Sequence, residues 1–234
     1  MKELVHHIST IAFDADDTLW VNEPFFRAAE DEYYALLRDY LHQDDLAKAL
    51  YETEMQNLAL FGYGIKGFVL SMIETLAKVT NNQAPLELVI KVMDLGKEML
   101  NKPVELLPGV ADLLAQLNGH YRLILATKGD LLDQERKLEK SGLAQHFHHI
   151  EVMSDKRVVD YQKLLAHLDC APDHFLMVGN SIKSDILPVL ELGGHAIHVP
   201  FHTTWVHEHI EDNLDYPNAY TTQNILDILP YLNK

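Results

Sequence analysis

The sequence contains a single cysteine, Cys170. No intrachain disulfide can form, so stability has to come from a packed core, and a reducing compartment fits best. Long apolar runs are missing too. No stretch approaches the roughly 20 apolar residues that a bilayer-spanning helix needs. The opening Met1-Lys2-Glu3-Leu4-Val5-His6-His7 lacks the apolar stretch of a signal peptide. Positive charge is scarce: 19 Lys and Arg stand against 35 Asp and Glu, a formal net charge of -16. That argues against nucleic acid or an anionic membrane surface as a partner, because either needs a net basic face. A small anionic substrate stays compatible, provided lysines gather at its site. With 47% hydrophobic residues and no low-complexity tract or repeat, the chain reads as a soluble, globular, cytoplasmic protein.

Strand signals are absent over one long stretch, about 21 to 105, and concentrated elsewhere. Residues 8–13, Ile-Ser-Thr-Ile-Ala-Phe, form a short apolar, partly β-branched run that stops at acidic residues, as a buried strand does. Similar runs follow at 121–126, 147–153, 174–178 and 195–199. Helical patterns separate them: Val110, Leu113, Leu114 and Leu117 recur at i, i+3, i+4 and i+7 after Pro108-Gly109, and 157–168 and 184–192 also read as helices. Strands alternating with helices imply right-handed crossovers and a parallel sheet. Between 21 and 105 the pattern is helical throughout. Tyr33, Leu36, Leu37, Tyr40 and Leu41 mark one amphipathic face, and Val69, Met72, Ile73 and Leu76 another, with 44–60 and 86–100 helical as well. The expected architecture is an α/β core with a doubly wound parallel sheet, residues 1–20 and 105–234, interrupted by an all-helical insert, 21–104.

Four polar segments each follow one of the strands directly. In a doubly wound sheet the carboxyl ends of the strands share one edge, where ligands bind, so these segments can converge. In Asp14-Ala15-Asp16-Asp17-Thr18, positions i and i+2 point the same way, and Asp14 and Asp16 can face one small volume. Adjacent carboxylates repel, so the pair needs a cation or a proton. One carboxylate can attack phosphorus while the other moves the proton; a solvated acidic turn capping a helix is the competing description. Ala126-Thr127-Lys128-Gly129-Asp130 offers a hydroxyl, free N–H groups and a glycine before a helix, an anion cradle or an ordinary strand-to-helix turn. In Ser154-Asp155-Lys156-Arg157, Lys156 can neutralise phosphate and nucleophile together; Lys163 competes from inside a helix. In Val178-Gly179-Asn180-Ser181-Ile182-Lys183-Ser184-Asp185, Asn180 and Asp185 offer oxygens to a hard cation, and with Asp14 and the Asp16 carbonyl they would suffice for Mg²⁺. Asp185 also suits the first turn of a helix.

In their order and at those strand ends, these segments resemble the four motifs of the haloacid dehalogenase-like hydrolase superfamily, its phosphatase branch in particular. The acid pair with Thr18 is the specific part, and the likeness covers roughly residues 8–20 and 105–200. The resemblance implies a magnesium-dependent phosphatase acting on a small phosphorylated metabolite, with Asp14 as nucleophile and Asp16 as general acid and base. Thr127 and the Lys128 N–H would hold the phosphoryl group, Lys156 would balance charge, and Asp185 would support the metal. The helical insert is similar to the family's mobile cap, whose loops reach the substrate. Phe61-Gly62-Tyr63-Gly64-Ile65-Lys66-Gly67 is a glycine-rich connection of that kind, making Tyr63 and Lys66 candidates for the leaving group; a plain flexible connection fits the same residues. Two positions depart from the family pattern: Asn180 stands where an aspartate is usual, and Arg157 where proline often follows the lysine. The same fold includes 2-haloacid dehalogenases and phosphomutases, and a non-catalytic binding protein could keep it. Halide leaves without a proton, so a dehalogenase needs neither Asp16 nor a metal. Finally, His202, His207, Glu208 and His209 match no helical zinc spacing and read as scattered surface and partly buried groups.

Overall fold

A computed structural model describes residues 7–210 and 214–232 of the chain. The reading of the opening residues, Met1–His6, lies outside it. The chain divides into two compact units. The first runs to Glu23, then takes Val104–Lys128 and everything from Arg136 on; the second holds Pro24–Pro103 and Gly129–Glu135. Relative to the expected core of 1–20 and 105–234, the segment 129–135 groups with the helices. Asp130 pairs there with Lys66 at 2.9 Å, and its backbone lies against Gly64.

The first unit is built on a parallel sheet of β1 (Thr10–Phe13), β2 (Arg122–Lys128), β3 (His149–Met153), β4 (Phe175–Gly179), β5 (His195–His198) and β6 (Ala219–Thr221), in the order β3-β2-β1-β4-β5-β6. This is the doubly wound α/β fold that the sequence predicts. Register pairs Ala12 with Ile124 on one side and with Met177 on the other. Because side chains alternate across a strand, each central strand feeds two cores. Ile11, Phe13, Leu123, Leu125, Leu176 and Val178 join Leu113, Leu114 and Leu117 of α5 (Val110–Leu117) and Leu138 of α6 (Leu131–Ser141) on one face. Ala12, Ile124, Ala126, Phe175 and Met177 meet Tyr161, Leu164 and Leu165 of α7 (Val158–His167) on the other.

In the second unit, α1 (Glu23–Leu37), which begins one residue before it, joins α2 (Gln43–Phe61), α3 (Ile65–Val79) and α4 (Leu86–Asn101) around their own core. Tyr33, Leu37, Leu50, Phe68, Met72, Leu76 and Val92 are buried there, and the Tyr33 hydroxyl donates to the Met72 carbonyl at 2.8 Å.

Two elements differ from expectation. The short β6 went unpredicted because three residues carry no period. The helix expected over 184–192 is instead a π-helical turn, Ile182–Ile186, followed by α8 (Leu187–Glu191). Pro188 explains the change: it has no N–H to give the Ser184 carbonyl four residues back. The Tyr161 hydroxyl donates to that carbonyl instead, at 3.1 Å.

Candidate active site

The strand order reverses between β1 and β4, which is where a doubly wound sheet opens a crevice at its carboxyl edge. Asp14 follows β1 and Asn180 follows β4, with the Asp14 N–H tied to the Val178 carbonyl at 2.9 Å. Lys156 arrives from the end of β3 and is 2% exposed. Its ammonium donates to Asp14 Oδ1 at 2.5 Å and to Asp185 Oδ1 at 2.7 Å. Lys163, the competing lysine, lies in α7 with its side chain 74% exposed beside Asp160.

Two buried carboxylates thus share one ammonium. Burial pushes the Asp14 carboxyl up to about 7, against the pull of Lys156, with the Asp185 and Asp16 charges adding to the rise. For Lys156, burial favours the neutral amine, but Asp14 and Asp185 together outweigh it and hold its pKa above the usual lysine range. Asp185 is fixed from behind as well, its Oδ2 accepting the Ser181 N–H at 3.0 Å. The same carboxyl explains Gly179: a Cβ there would lie 2.3 Å from Asp185 Oδ2, so any side chain would displace the acid.

Thr18 links the first and fourth segments. Its hydroxyl lies 3.1 Å from Asp14 Oδ2 and 3.2 Å from Asn180 Oδ1, and it accepts the Asn180 N–H at 3.1 Å. The Asn180 carbonyl is in turn 3.0 Å from His198 Nε2. Burial holds His198 below the usual imidazole range, so the neutral ring must carry its proton on Nε2 to make that bond. Asp16 is oriented by two donors on one oxygen, Trp20 Nε1 at 2.7 Å and Lys137 Nζ at 2.9 Å. Directly after Asp16, Asp17 adopts φ 61°, a left-handed conformation that Asp tolerates. Its carboxyl accepts the N–H groups of Asn22 and Glu23 where α1 begins, and burial pushes it up to about 8.

Thr127 is buried at the end of β2. The Lys128 side chain does not stand free. It donates to Glu208 Oε1 at 2.6 Å and to Ser184 Oγ at 2.9 Å. Glu208 Oε2 also takes the Ser181 and Ser184 hydroxyls, at 2.7 and 2.5 Å. Burial alone would raise this carboxyl, but Lys128 and the two hydroxyls hold it down to about 2. Arg157, in the position where the family often has proline, has an N–H that donates to Asp160 Oδ2 at 3.2 Å, a bond proline could not make. In the helical unit, Tyr63 is half-buried between α2 and α3, and Lys66 opens α3 paired with Asp130.

Sequence reasoning left Thr18 and Trp20 without roles, although both sit beside Asp16 in the chain. Lys137 carried no local signal, and Glu208 stood out only as one of the scattered His202–His209 group. Hard oxygens from Asp14, Asn180 and Asp185 gather at this edge, with two carboxylates against one ammonium. That donor set fits an oxygen-seeking divalent cation.

The family model for haloacid dehalogenase-like hydrolase matches residues 8–193. The chain belongs to the haloacid dehalogenase-like hydrolase family. A haloacid dehalogenase-like family hydrolase from Xanthomonas campestris is 37% identical, with 93% of this chain and 87% of that one covered and a TM-score of 0.84. A predicted phosphoglycolate phosphatase from Haemophilus somnus 129pt shares the fold at 16% identity, covering 97% and 99% of the two chains with a TM-score of 0.67. A 2-haloacid dehalogenase from Pseudomonas syringae pv. tomato DC3000 does so at 20% identity, covering 96% and 98%, with a TM-score of 0.61. No curated protein matches the sequence. Among the described residues no helix is long and apolar enough to cross a membrane.

Proposed function

We propose that the chain is a phosphatase that hydrolyses a small phosphorylated metabolite through an aspartyl-phosphate on Asp14. The observation that carries this reading is the sharing of one Lys156 ammonium by Asp14 and Asp185, beside the Asn180 oxygen. Such an excess of buried acid suits a site that takes a cation together with a phosphate; displacement of halide by a carboxylate calls for neither. Asp16 supports the same choice, because an ester oxygen needs a proton to leave and a halide does not.

The steps follow from the residues. An Asp14 carboxylate oxygen attacks phosphorus, the bond to the ester oxygen breaks, and Asp16 gives that oxygen its proton. Asp16 then takes a proton from water as the water oxygen attacks phosphorus. The bond to Asp14 breaks, which frees inorganic phosphate and restores the carboxylate. Lys156 holds Asp14 in place and opposes its charge, while the Thr127 hydroxyl and the Lys128 N–H would donate to phosphoryl oxygens. Asp14, the Asp16 carbonyl, Asn180 and Asp185 would hold Mg²⁺, which when bound supplies positive charge to the phosphoryl oxygens. The single thiol, Cys170, supports a cytoplasmic setting.

The test is Asp14→Asn, assayed against phosphorylated sugars, nucleotides and small acids with and without magnesium, and against 2-haloacids. The variant is expected to lose turnover and to form no acid-stable phosphoenzyme, while keeping its fold by circular dichroism. Turnover of phosphate esters close to wild type would overturn the covalent mechanism. Halide release without phosphate release by the wild-type protein would assign it to the dehalogenases instead.

A further inference from the structure

β3 is an edge strand of the sheet, and among the described residues one of its sides has no neighbouring strand. His149 and Glu151 sit two residues apart on it and share a face. His167, the last residue of α7, comes down beside them. The Glu151 carboxylate oxygen Oε2 lies 2.9 Å from His149 Nε2 and 3.9 Å from His167 Nδ1. The two imidazoles meet edge-on, centroids 4.8 Å apart at 81°. One ligand atom from each residue, two nitrogens and one oxygen, lies within 4.8 Å of the others; His149 and Glu151 are half-buried and His167 is exposed.

We propose that His149, Glu151 and His167 form a second cation site, for a zinc-class transition-metal ion. It lies at the opposite end of the strand from the candidate active site. His149 begins β3, whereas Lys156 follows its last residue, Met153. Four residue steps of extended chain separate the two ends of the strand, roughly 13 Å. The donor chemistry differs to match. Imidazole and carboxylate together suit Zn²⁺, Ni²⁺ or Cu²⁺, whereas Mg²⁺ prefers an all-oxygen shell such as Asp14, Asn180 and Asp185 offer. Metal–nitrogen bonds of about 2.0–2.1 Å place tetrahedral ligand atoms roughly 3.3 Å apart. The His149–Glu151 contact is already within that span, and an exposed His167 can rotate to close the rest. Three protein ligands leave a fourth position to water. Such an ion would fasten the free edge of the sheet to the end of α7.

An ordinary histidine–carboxylate ion pair is the rival description, and the two differ in sign with pH. The ion pair needs protonated imidazole, whereas the metal needs it neutral and releases protons on binding.

The experiment is equilibrium dialysis and calorimetry of the metal-stripped full chain with Zn²⁺, in millimolar Mg²⁺ and without an affinity tag. Wild type is compared with His167→Ala, His149→Ala and the near-isosteric Glu151→Gln. Wild type is expected to hold one more zinc than each variant, with affinity at the site falling by on the order of 100-fold or more, since even outer-shell partners are worth 10–100-fold. Binding should weaken between pH 7.5 and 5.5. His167 is exposed, so its replacement leaves the fold intact and keeps the comparison clean. Equal zinc stoichiometry and affinity in wild type and His167→Ala, or binding that strengthens as pH falls, would overturn the proposal.

Discussion

The Glu208 carboxylate meets the Lys128 ammonium at 2.6 Å and, through its other oxygen, takes the hydroxyls of Ser181 and Ser184. Lys128 belongs to the second motif and the serines to the fourth, so one acid from a late loop ties two motif segments together. The Lys128 charge is committed to Glu208. With the carboxyl held near 2 in the fold, its contribution to stability is fully present above the unfolded value of 4.5 and is lost as pH falls through about 2. Glu208→Gln should therefore cost on the order of 2–3 kcal/mol at pH 6, the difference from wild type falling by roughly half at pH 3. Urea titrations at the two pH values measure it; a cost independent of pH would mean that charge at Glu208 contributes nothing.

Lys156 sits between two buried acids, so removing it leaves both without a counter-charge. Lys156→Met should destabilise by about 3–5 kcal/mol, the range for one broken partner in a buried ion pair. Adding Asp185→Asn should recover part of that loss, because one of the uncompensated charges goes with it. Lys163→Ala, at an exposed position, should stay within about 0.5 kcal/mol. Urea denaturation of the four proteins decides the matter: equal losses at the two lysines would contradict the buried triad.

Asp14, Lys156 and Asp185 were legible in the sequence because each belongs to a segment that directly follows an apolar strand signal, and topology brings strand ends to one edge. The central strands were legible for the same reason that they are stable, since apolar side chains serve cores on both faces. The lysine assignment followed from position alone, Lys156 beyond β3 and Lys163 inside α7. Glu208 and Lys137 could not be found this way. Their partners, Lys128 and Asp16, are 80 and 121 residues away, and no local spacing encodes such pairings. The π-helical turn was hidden differently: Pro188 hinted at a disturbance, but its cure, the Tyr161 hydroxyl on the Ser184 carbonyl, is a tertiary contact.

Asp16 is held by Trp20 and Lys137, so an amide in its place can keep the Trp20 bond but cannot move a proton. Asp16→Asn should lower turnover of alkyl phosphates by about 10²–10⁴-fold, the usual worth of a positioned acid. The loss should shrink for nitrophenyl phosphate, whose leaving group departs without help. Rates across a series of leaving groups test this. A constant loss along the series would assign Asp16 to positioning alone.

Asn180 departs from the aspartate usual in the family, and its surroundings show what the change alters. Its Oδ1 lies 3.2 Å from Thr18 Oγ1, which also reaches Asp14 Oδ2, so a carboxylate at 180 would add a third acid beside Asp14 and Asp185. Without a metal, that charge joins two acids that already share the single Lys156 ammonium, and Asn180→Asp should be less stable than wild type. With magnesium the sign reverses. A divalent ion gains one more full charge, and affinity should rise by about 1–2 kcal/mol, roughly tenfold. A phosphate dianion then meets more repulsion, so KM should rise in the same variant. Two readouts separate these effects: the melting temperature against magnesium concentration, which reports the ion alone, and the magnesium dependence of turnover, which includes the substrate. A larger magnesium-induced rise in melting temperature for Asn180→Asp, together with a raised KM, is the expected pair. Unchanged or weaker magnesium stabilisation would remove Asn180 from the ligand set and leave Asp14, Asp185 and the Asp16 carbonyl to hold the ion.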